Sequence, residues 1–254
     1  MKRDRISGWV IGLGSILLVG GALTAPAAAP AAPQSGIDQA STGQVTGKVF
    51  FKGEAPKLAT IMMDQDPVCA SEHGAPVRVE DGAVNSDGTL PNVFVYVKSG
   101  AEKDTFPTPA QPVVLDQRGC VYVPHVLGVM VGQPLKVISS DPTTHNVHVM
   151  SKVNRDWNQS QTPGAAPLIR KFSKAEIMIP VKCNQHPWMT AYIGVTSNPL
   201  YAVTGTDGAF TIKGVPPGTY TIGAWTATFG TREQTVTVSA RGSETADFTF
   251  GADQ

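Results

Sequence analysis

Cys183-Asn184-Gln185-His186-Pro187-Trp188-Met189 gathers a thiol, an imidazole and a thioether within seven residues, a donor mixture that favours copper over zinc or calcium. A trigonal set needs one more imidazole. The string Asp141-Pro142-Thr143-Thr144-His145-Asn146-Val147-His148 supplies it, with His145 opening a run that reads as a strand. Two imidazoles and one thiolate in a plane, with a weak axial thioether, suit both copper oxidation states and hence one-electron transfer. A buried cysteine or methionine by itself is ordinary core. What sets these residues apart is the coincidence of the C-x-x-H-x-x-M spacing, an upstream His-Asn and a β-rich context. His148 lies three residues from His145, on the opposite face of the same strand, and reads as a nearby or surface histidine. His73 and His125 fall in turn-like or strand-end contexts and read as structural.

These strings resemble the cupredoxins, most closely the amicyanin/plastocyanin-like type 1 copper group, whose ligand loop has the short C-x-x-H-P-aromatic-M form and whose upstream ligand sits in an H-N-V-H string. Over roughly residues 113–198, the resemblance implies a type 1 copper ion held by His145, Cys183, His186 and Met189. It also implies that Asn146 hydrogen-bonds the ligand loop, that Pro187 stiffens it and that Trp188 excludes water.

The elements that position these groups must be strands. Short β-branched or aromatic runs are separated by Gly, Pro, Asn and Asp, and no long amphipathic helix interrupts them. Strands are expected at 45–51, 92–97, 135–139, 146–150, 177–181, 191–195, 209–212, 220–224, 235–239 and 246–250. Asp87-Gly88, Asp207-Gly208 and Pro216-Pro217-Gly218 mark tight turns, and the polar, Pro-containing stretch 154–167 reads as a loop.

The C-terminal strings Thr206-Asp207-Gly208-Ala209-Phe210 and Pro216-Pro217-Gly218-Thr219-Tyr220 resemble the carboxypeptidase regulatory-like modules, small transthyretin-like sandwiches that scaffold and recognise rather than hydrolyse. Such a module opens on a G-x-V strand, and none directly precedes Tyr201. Gly47-Lys48-Val49 lies far upstream, and Leu90-Pro91-Asn92-Val93-Phe94-Val95-Tyr96-Val97 resembles a following strand. The expected fold is therefore all-β: two Greek-key-type sandwiches, a cupredoxin and a transthyretin/carboxypeptidase regulatory-like domain. In this division 44–112 and 200–254 form the regulatory-like sandwich, with the copper domain, 113–199, inserted between them. A tandem order is the plainer alternative. Insertion requires the ends of the inserted unit to lie close together.

The N-terminus reads as an export signal. Lys2, Arg3 and Arg5 precede an apolar run to Leu23, and Ala25-Pro26-Ala27 then offers a cleavage pattern. This makes 1–27 a signal peptide and 28–43 an Ala/Pro-rich linker. An uncleaved anchor is the alternative, although the run is short and Gly-rich for a span of about 20 apolar residues. Cleavage would leave no stable membrane span, and the mature protein would be periplasmic or secreted. Of three cysteines, Cys183 is claimed by the copper reading. Cys69 and Cys120 remain as a disulfide pair in an oxidising compartment, or as two buried thiols. A bridge closing so long a loop would stabilise by roughly 4 kcal/mol in the chain-entropy model.

Twenty basic residues balance twenty acidic ones, so no net field argues for nucleic acid or an anionic membrane. About 210 residues remain after the signal and linker, enough for two small β domains. The whole pattern resembles exported bacterial methylamine-utilisation-like proteins. It departs from them at Asn198-Pro199, where the group often has His-Pro, and at Trp225-Thr226-Ala227, where it has Trp-His-Glu. No His-x-His pair and no C-x-x-x-C loop occurs, so the resemblance implies no trinuclear or binuclear copper centre and no enzyme. It implies an electron carrier serving redox partner proteins. The alternative is a module binding a glycan or envelope component, with copper structural, stored or sensed.

Overall fold

The structure, a computed structural model, describes residues 37–251; the signal-peptide reading of 1–27 and the linker up to residue 36 lie outside the described residues. The chain forms β1 (Gly43–Lys52), α1 (Pro67–Ser71), β2 (Phe94–Ser99), β3 (Val113–Gln117), β4 (Tyr122–Val123) and β5 (Val126–Met130). It continues through β6 (Leu135–Ser139), β7 (His145–Val149), β8 (Trp157–Gln161), β9 (Leu168–Arg170), β10 (Glu176–Lys182) and β11 (Thr190–Thr196). The remaining strands are β12 (Tyr201–Val203), β13 (Ala209–Val215), β14 (Gly218–Thr226), β15 (Gly230–Val238), β16 (Ser243–Thr245) and β17 (Phe248–Gly251). The stretch expected as a loop over 154–167 contains β8. Its Trp157-Asn158-Gln159-Ser160-Gln161 carries no apolar alternation, and it is held by a full antiparallel register against β7, from His145↔Gln161 to Val149↔Trp157.

The strands sort into four sheets. Two combine the first strands of the described chain with the last: β1 is flanked by β13 on one side and by β16 and β17 on the other, and β2 lies between β12 and β14, with β15 at the edge. The other two, β4-β3-β6-β9 and β5-β11-β10-β7-β8, use only strands that fall between β2 and β12 in the chain. In the first pair, Val45, Val49 and Phe51 of β1 alternate inward against Val95 and Val97 of β2 and Ile222 and Ala224 of β14. β1 accommodates its neighbours at Gly47, where a Cβ would overlap the backbone carbonyl of Ala246. In the second pair, Leu115, Leu135 and Val137 from one sheet meet Val147, Val149, Val181, Ile193 and Val195 from the other.

A third apolar group joins the two sandwiches. Phe94, Tyr96, Tyr201 and Trp225 pack against Val126, Met178 and Tyr192. Gly128 and Gly194 are register partners on β5 and β11. A Cβ on Gly194 would overlap the Phe94 ring, and one on Gly128 the Tyr201 ring. Two small residues side by side thus make the flat spot on which the aromatic face of β2 and β12 rests.

One part of the expected 44–112 unit belongs elsewhere. Ile61 and Val79 donate their amides to Val77 and Ala59 at 2.8 and 3.0 Å, closing a small irregular ribbon around α1. Met63 and Cys69 from this segment are buried in the core of the sandwich formed by β3–β11, with Ile61 and Val77 packed beside them. The stretch 59–79 is broken by Asp64, Asp66, Pro67, Gly74 and Pro76 and keeps no strand period, and its apolar residues find the nearer core.

Candidate metal centre

His145 starts β7, Cys183 follows β10, and His186 and Met189 lie on the loop that runs into β11. Strand pairing brings these ends together, since β10 lies antiparallel to both β7 and β11. Ligand-capable atoms of His145, Cys183 and His186 come within 4.8 Å of one another, and all three residues are buried. The loop is closed by its own backbone: Met189 donates its amide to the His186 carbonyl at 2.9 Å, and Cys183 donates to the Met189 carbonyl at 3.2 Å. Met189 is fully buried.

The orientation of the rings is defined. His145 Nδ1 faces His186 Nδ1 at 2.9 Å, and Cys183 Sγ lies 3.7 Å from the same His186 nitrogen. The outward nitrogens each meet a carboxylate: His145 Nε2 lies 2.8 Å from Asp141 Oδ2, and His186 Nε2 lies 2.9 Å from Asp66 Oδ2. Asp141 also accepts from the Gly119 and Cys120 amides at 2.6 and 2.8 Å. Asp66 caps α1 by accepting from the Val68 and Cys69 amides at 2.9 and 3.3 Å.

Asn146 Oδ1 accepts from the Asn184 amide at 2.7 Å and lies 3.4 Å from Cys183 Sγ, and its own Nδ2 donates to Asn158 Oδ1 at 2.7 Å. β8 therefore orients the amide that holds the loop. Trp188 lies half-buried over the centre, its ring 5.0 Å from that of His186, and its Nε1 donates to the Cys120 carbonyl at 3.0 Å. Pro187 is exposed in the turn. Cys69 and Cys120 are bonded to each other. His148 is partly exposed, with Nε2 3.1 Å from Asp156. His73 Nε2 lies 2.6 Å from the Gly119 carbonyl.

The donors are electrostatically matched. Burial works against a Cys183 thiolate, but hydrogen bonding to His145 and to the backbone of Asn146, His186 and Gln185 outweighs it, and the thiol pKa falls to about 6. Burial likewise works against a His145 cation, yet Asp141 and Cys183 favour it and raise the imidazole to about 9. The two opposite shifts favour a thiolate beside an imidazolium. A proton on His145 Nδ1 can be donated to the lone pair of His186 Nδ1, which explains two ring nitrogens in contact. This buried proton sits among one sulfur and two nitrogen donors, and a soft-to-borderline cation would replace it with release of the proton.

Asp66, Asp141 and the ribbon 59–79 are parts of the centre that sequence reasoning did not assign. Asp141 stands four residues before His145 in the string that drew attention to that histidine. Asp66-Pro67 carries a helix-start signature, but nothing local ties it to His186.

No curated protein matches the chain. The carboxypeptidase regulatory-like domain model matches residues 186–251, a stretch that begins on the ligand loop and takes in β11–β17, while β1 and β2 lie outside it. Among solved structures, similarity is found to a Cu-containing nitrite reductase from Thermus scotoductus SA-01, at 19% identity over 39% of this chain and 25% of that one, with a TM-score of 0.31. A purple cupredoxin from Nitrosopumilus maritimus is similar at 19% identity over 30% of this chain and 82% of its own, TM-score 0.26. Amicyanin from Paracoccus versutus is similar at 20% identity over 40% of this chain and 96% of its own, TM-score 0.30. Among the described residues the chain is thus nearly all-β, and residues 186–251 match the carboxypeptidase regulatory-like domain model.

Proposed function

We propose that this chain is an exported type 1 copper protein that carries single electrons between redox partner proteins and catalyses no reaction of its own. The observation that carries this reading is the buried convergence of Cys183, His145 and His186, on a loop whose last residue is the buried Met189. Copper bound there would supply reversible one-electron chemistry. The protein's part is to hold the donors still: Asn146 fixes the loop, Asp141 fixes the His145 ring, and Trp188 shields the centre from water. A site that changes little between oxidation states gives fast transfer, and the closed backbone turn from Cys183 to Met189 supports that rigidity. Domain limits of 44–112 with 200–254 for the regulatory-like sandwich, and 113–199 for the copper sandwich, belong to the proposal, with the exception of 59–79 described above. The Cys69–Cys120 bond favours an oxidising, extracytoplasmic location. Among the described residues no helix is long and apolar enough to cross a membrane.

A second reading gives the other sandwich attachment to a glycan or envelope component, since the modules that the C-terminal strings resemble scaffold and recognise. Copper titration of the mature chain, followed by visible absorption and voltammetry, tests the carrier reading. An intense sulfur-to-copper absorption that is lost in Cys183→Ser, with reversible one-electron cycling, is the expected result. Met189→Leu should keep the metal and raise the potential, since loss of a weak donor disfavours Cu(II). A colourless, redox-silent protein that retains glycans would leave the attachment role alone.

A further inference from the structure

The copper reading leaves unexplained why a disulfide-bonded ribbon from outside the sandwich strands is packed against the ligand cluster. We propose, building on that reading, that Asp66 is a positioning residue for His186, and that the Cys69–Cys120 bond is the tie that fixes the two histidines relative to each other.

The geometry forms a closed circuit. His186 Nε2 meets Asp66, three residues before Cys69 in the chain, whose amide donates to the other Asp66 oxygen. Cys69 is bonded to Cys120, the amide of Cys120 donates to Asp141, and Asp141 meets His145 Nε2. The circuit closes where the two Nδ1 atoms face each other. Each imidazole is thus backed by a carboxylate, and the two carboxylates are held by backbone on either side of one covalent bond. The ribbon also covers the outer edge of His186, which is only 5% exposed, with Cys69 Sγ 3.8 Å from its Nε2.

An acceptor at Nε2 keeps the proton there and leaves Nδ1 as the donor facing the cluster. Its negative charge, close to the metal, favours the more highly charged oxidised ion. In Asp66→Asn the amide oxygen can keep the helix cap, a position where asparagine serves as well as aspartate, so the fold is retained. That places the amide nitrogen, a donor, toward a nitrogen that was itself donating.

Two measurements on Asp66→Asn and Asp66→Ala test the proposal. The first needs no metal: ring-nitrogen NMR of the apo-protein at neutral pH should find the His186 proton on Nε2 in the parent chain and displaced toward Nδ1 in both variants. The second is made on copper-loaded protein. Copper affinity should fall roughly 10- to 100-fold, and the preference for Cu(II) over Cu(I) should fall at least tenfold, a rise in potential of about 59 mV or more. Cys69→Ala/Cys120→Ala should shift the potential in the same direction, and adding Asp66→Ala to it should shift the potential by less than in the parent, because both act on one path. An unchanged His186 tautomer in Asp66→Asn overturns the positioning role, whatever the protein does with copper. A cysteine double variant that melts earlier at an unchanged potential overturns the tie. Failure of the parent chain to bind copper would defeat the electron-carrier reading and leave the apo-protein measurement standing.

Discussion

In the sandwich built around β1 and β2, the buried polar side chains are Thr89, Thr204 and Thr226. In the sandwich of β3–β11 they include Gln117, Asp141, His145, Asn146, Gln161 and His186. Both have dense apolar cores, so folding alone does not demand the second set. Burying a group that can carry charge costs free energy unless a partner compensates it. Here the compensation is specific: Asp141 to His145, Asp66 to His186, and Gln117 donating to Gln161 at 2.8 Å. The buried polar side chains of the first sandwich are threonines, which carry no charge; the second maintains a costly polar interior at one end, where the candidate chemistry is.

The contrast breaks most completely if the first sandwich is cut. β12 pairs only with β2, and β13, β16 and β17 pair only with β1, so the fragment 200–254 keeps just the β14–β15 hairpin from its native sheets. An isolated hairpin is marginal in water. The fragment should therefore show no cooperative melt and no β-sheet circular dichroism. A cooperative transition for 200–254 alone would mean that it folds as a tandem domain.

Next in size is the seam between the sandwiches. Phe94 is fully buried, stacked 5.6 Å from Tyr201 and seated on Gly194. Phe94→Ala should cost about 3–5 kcal/mol. Because the loss falls between two cores and not within one, calorimetry should resolve two transitions where the parent chain shows one. A single, merely lowered transition would make Phe94 part of one core.

The tie across the metal centre follows. Cys69 and Cys120 are 51 residues apart, and their replacement by alanine should lower stability by about 2–5 kcal/mol. The loss should be read in the melting of the β3–β11 sandwich, since both sulfurs belong to its core. An equal loss confined to the other sandwich would contradict the assignment of 59–79.

These outcomes turn on features of very different legibility. The convergence of His145, Cys183 and His186 could be expected from the sequence because groups able to bind a metal keep a short, unusual spacing on one loop and one strand end. β1 and β2 could be matched to the C-terminal strands because Gly47-Lys48-Val49 resembles the opening strand of such a module and Val93–Val97 alternates valine and aromatic faces, both of them buried. β8 could not, since Asn158, Gln159 and Ser160 are exposed and only the register against β7 makes them a strand. Asp66 lies 120 residues from His186, and a single hydrogen bond across that distance leaves no local pattern.

The smallest expected effect concerns the junction, where His125 is held by acceptors on both sides. Its Nδ1 lies 3.0 Å from the Thr190 carbonyl and its Nε2 2.8 Å from Asp81 Oδ1, while Tyr192 donates to Asp81 Oδ2 at 3.0 Å. Burial works against the His125 cation, but Asp81, Glu80 and Thr190 favour it, and its pKa lies above the ordinary 6.5. Burial also works against the Asp81 anion, but His125 and Tyr192 favour it, and its pKa lies below the ordinary 3.8. The histidine's share of stability is therefore complete below pH 6.5 and is lost as pH rises through its folded value. The aspartate's share is complete above pH 3.8 and is lost as pH falls through its own. Together they are fully expressed between those two ordinary values. The melting-temperature difference between the parent chain and His125→Gln should shrink as pH is raised from about 5 to about 9. The changing ionisation of His145 and Cys183 is common to both proteins and largely cancels in that difference. A gap of constant size over the same range would mean that His125 acts at the junction as a neutral, packed ring.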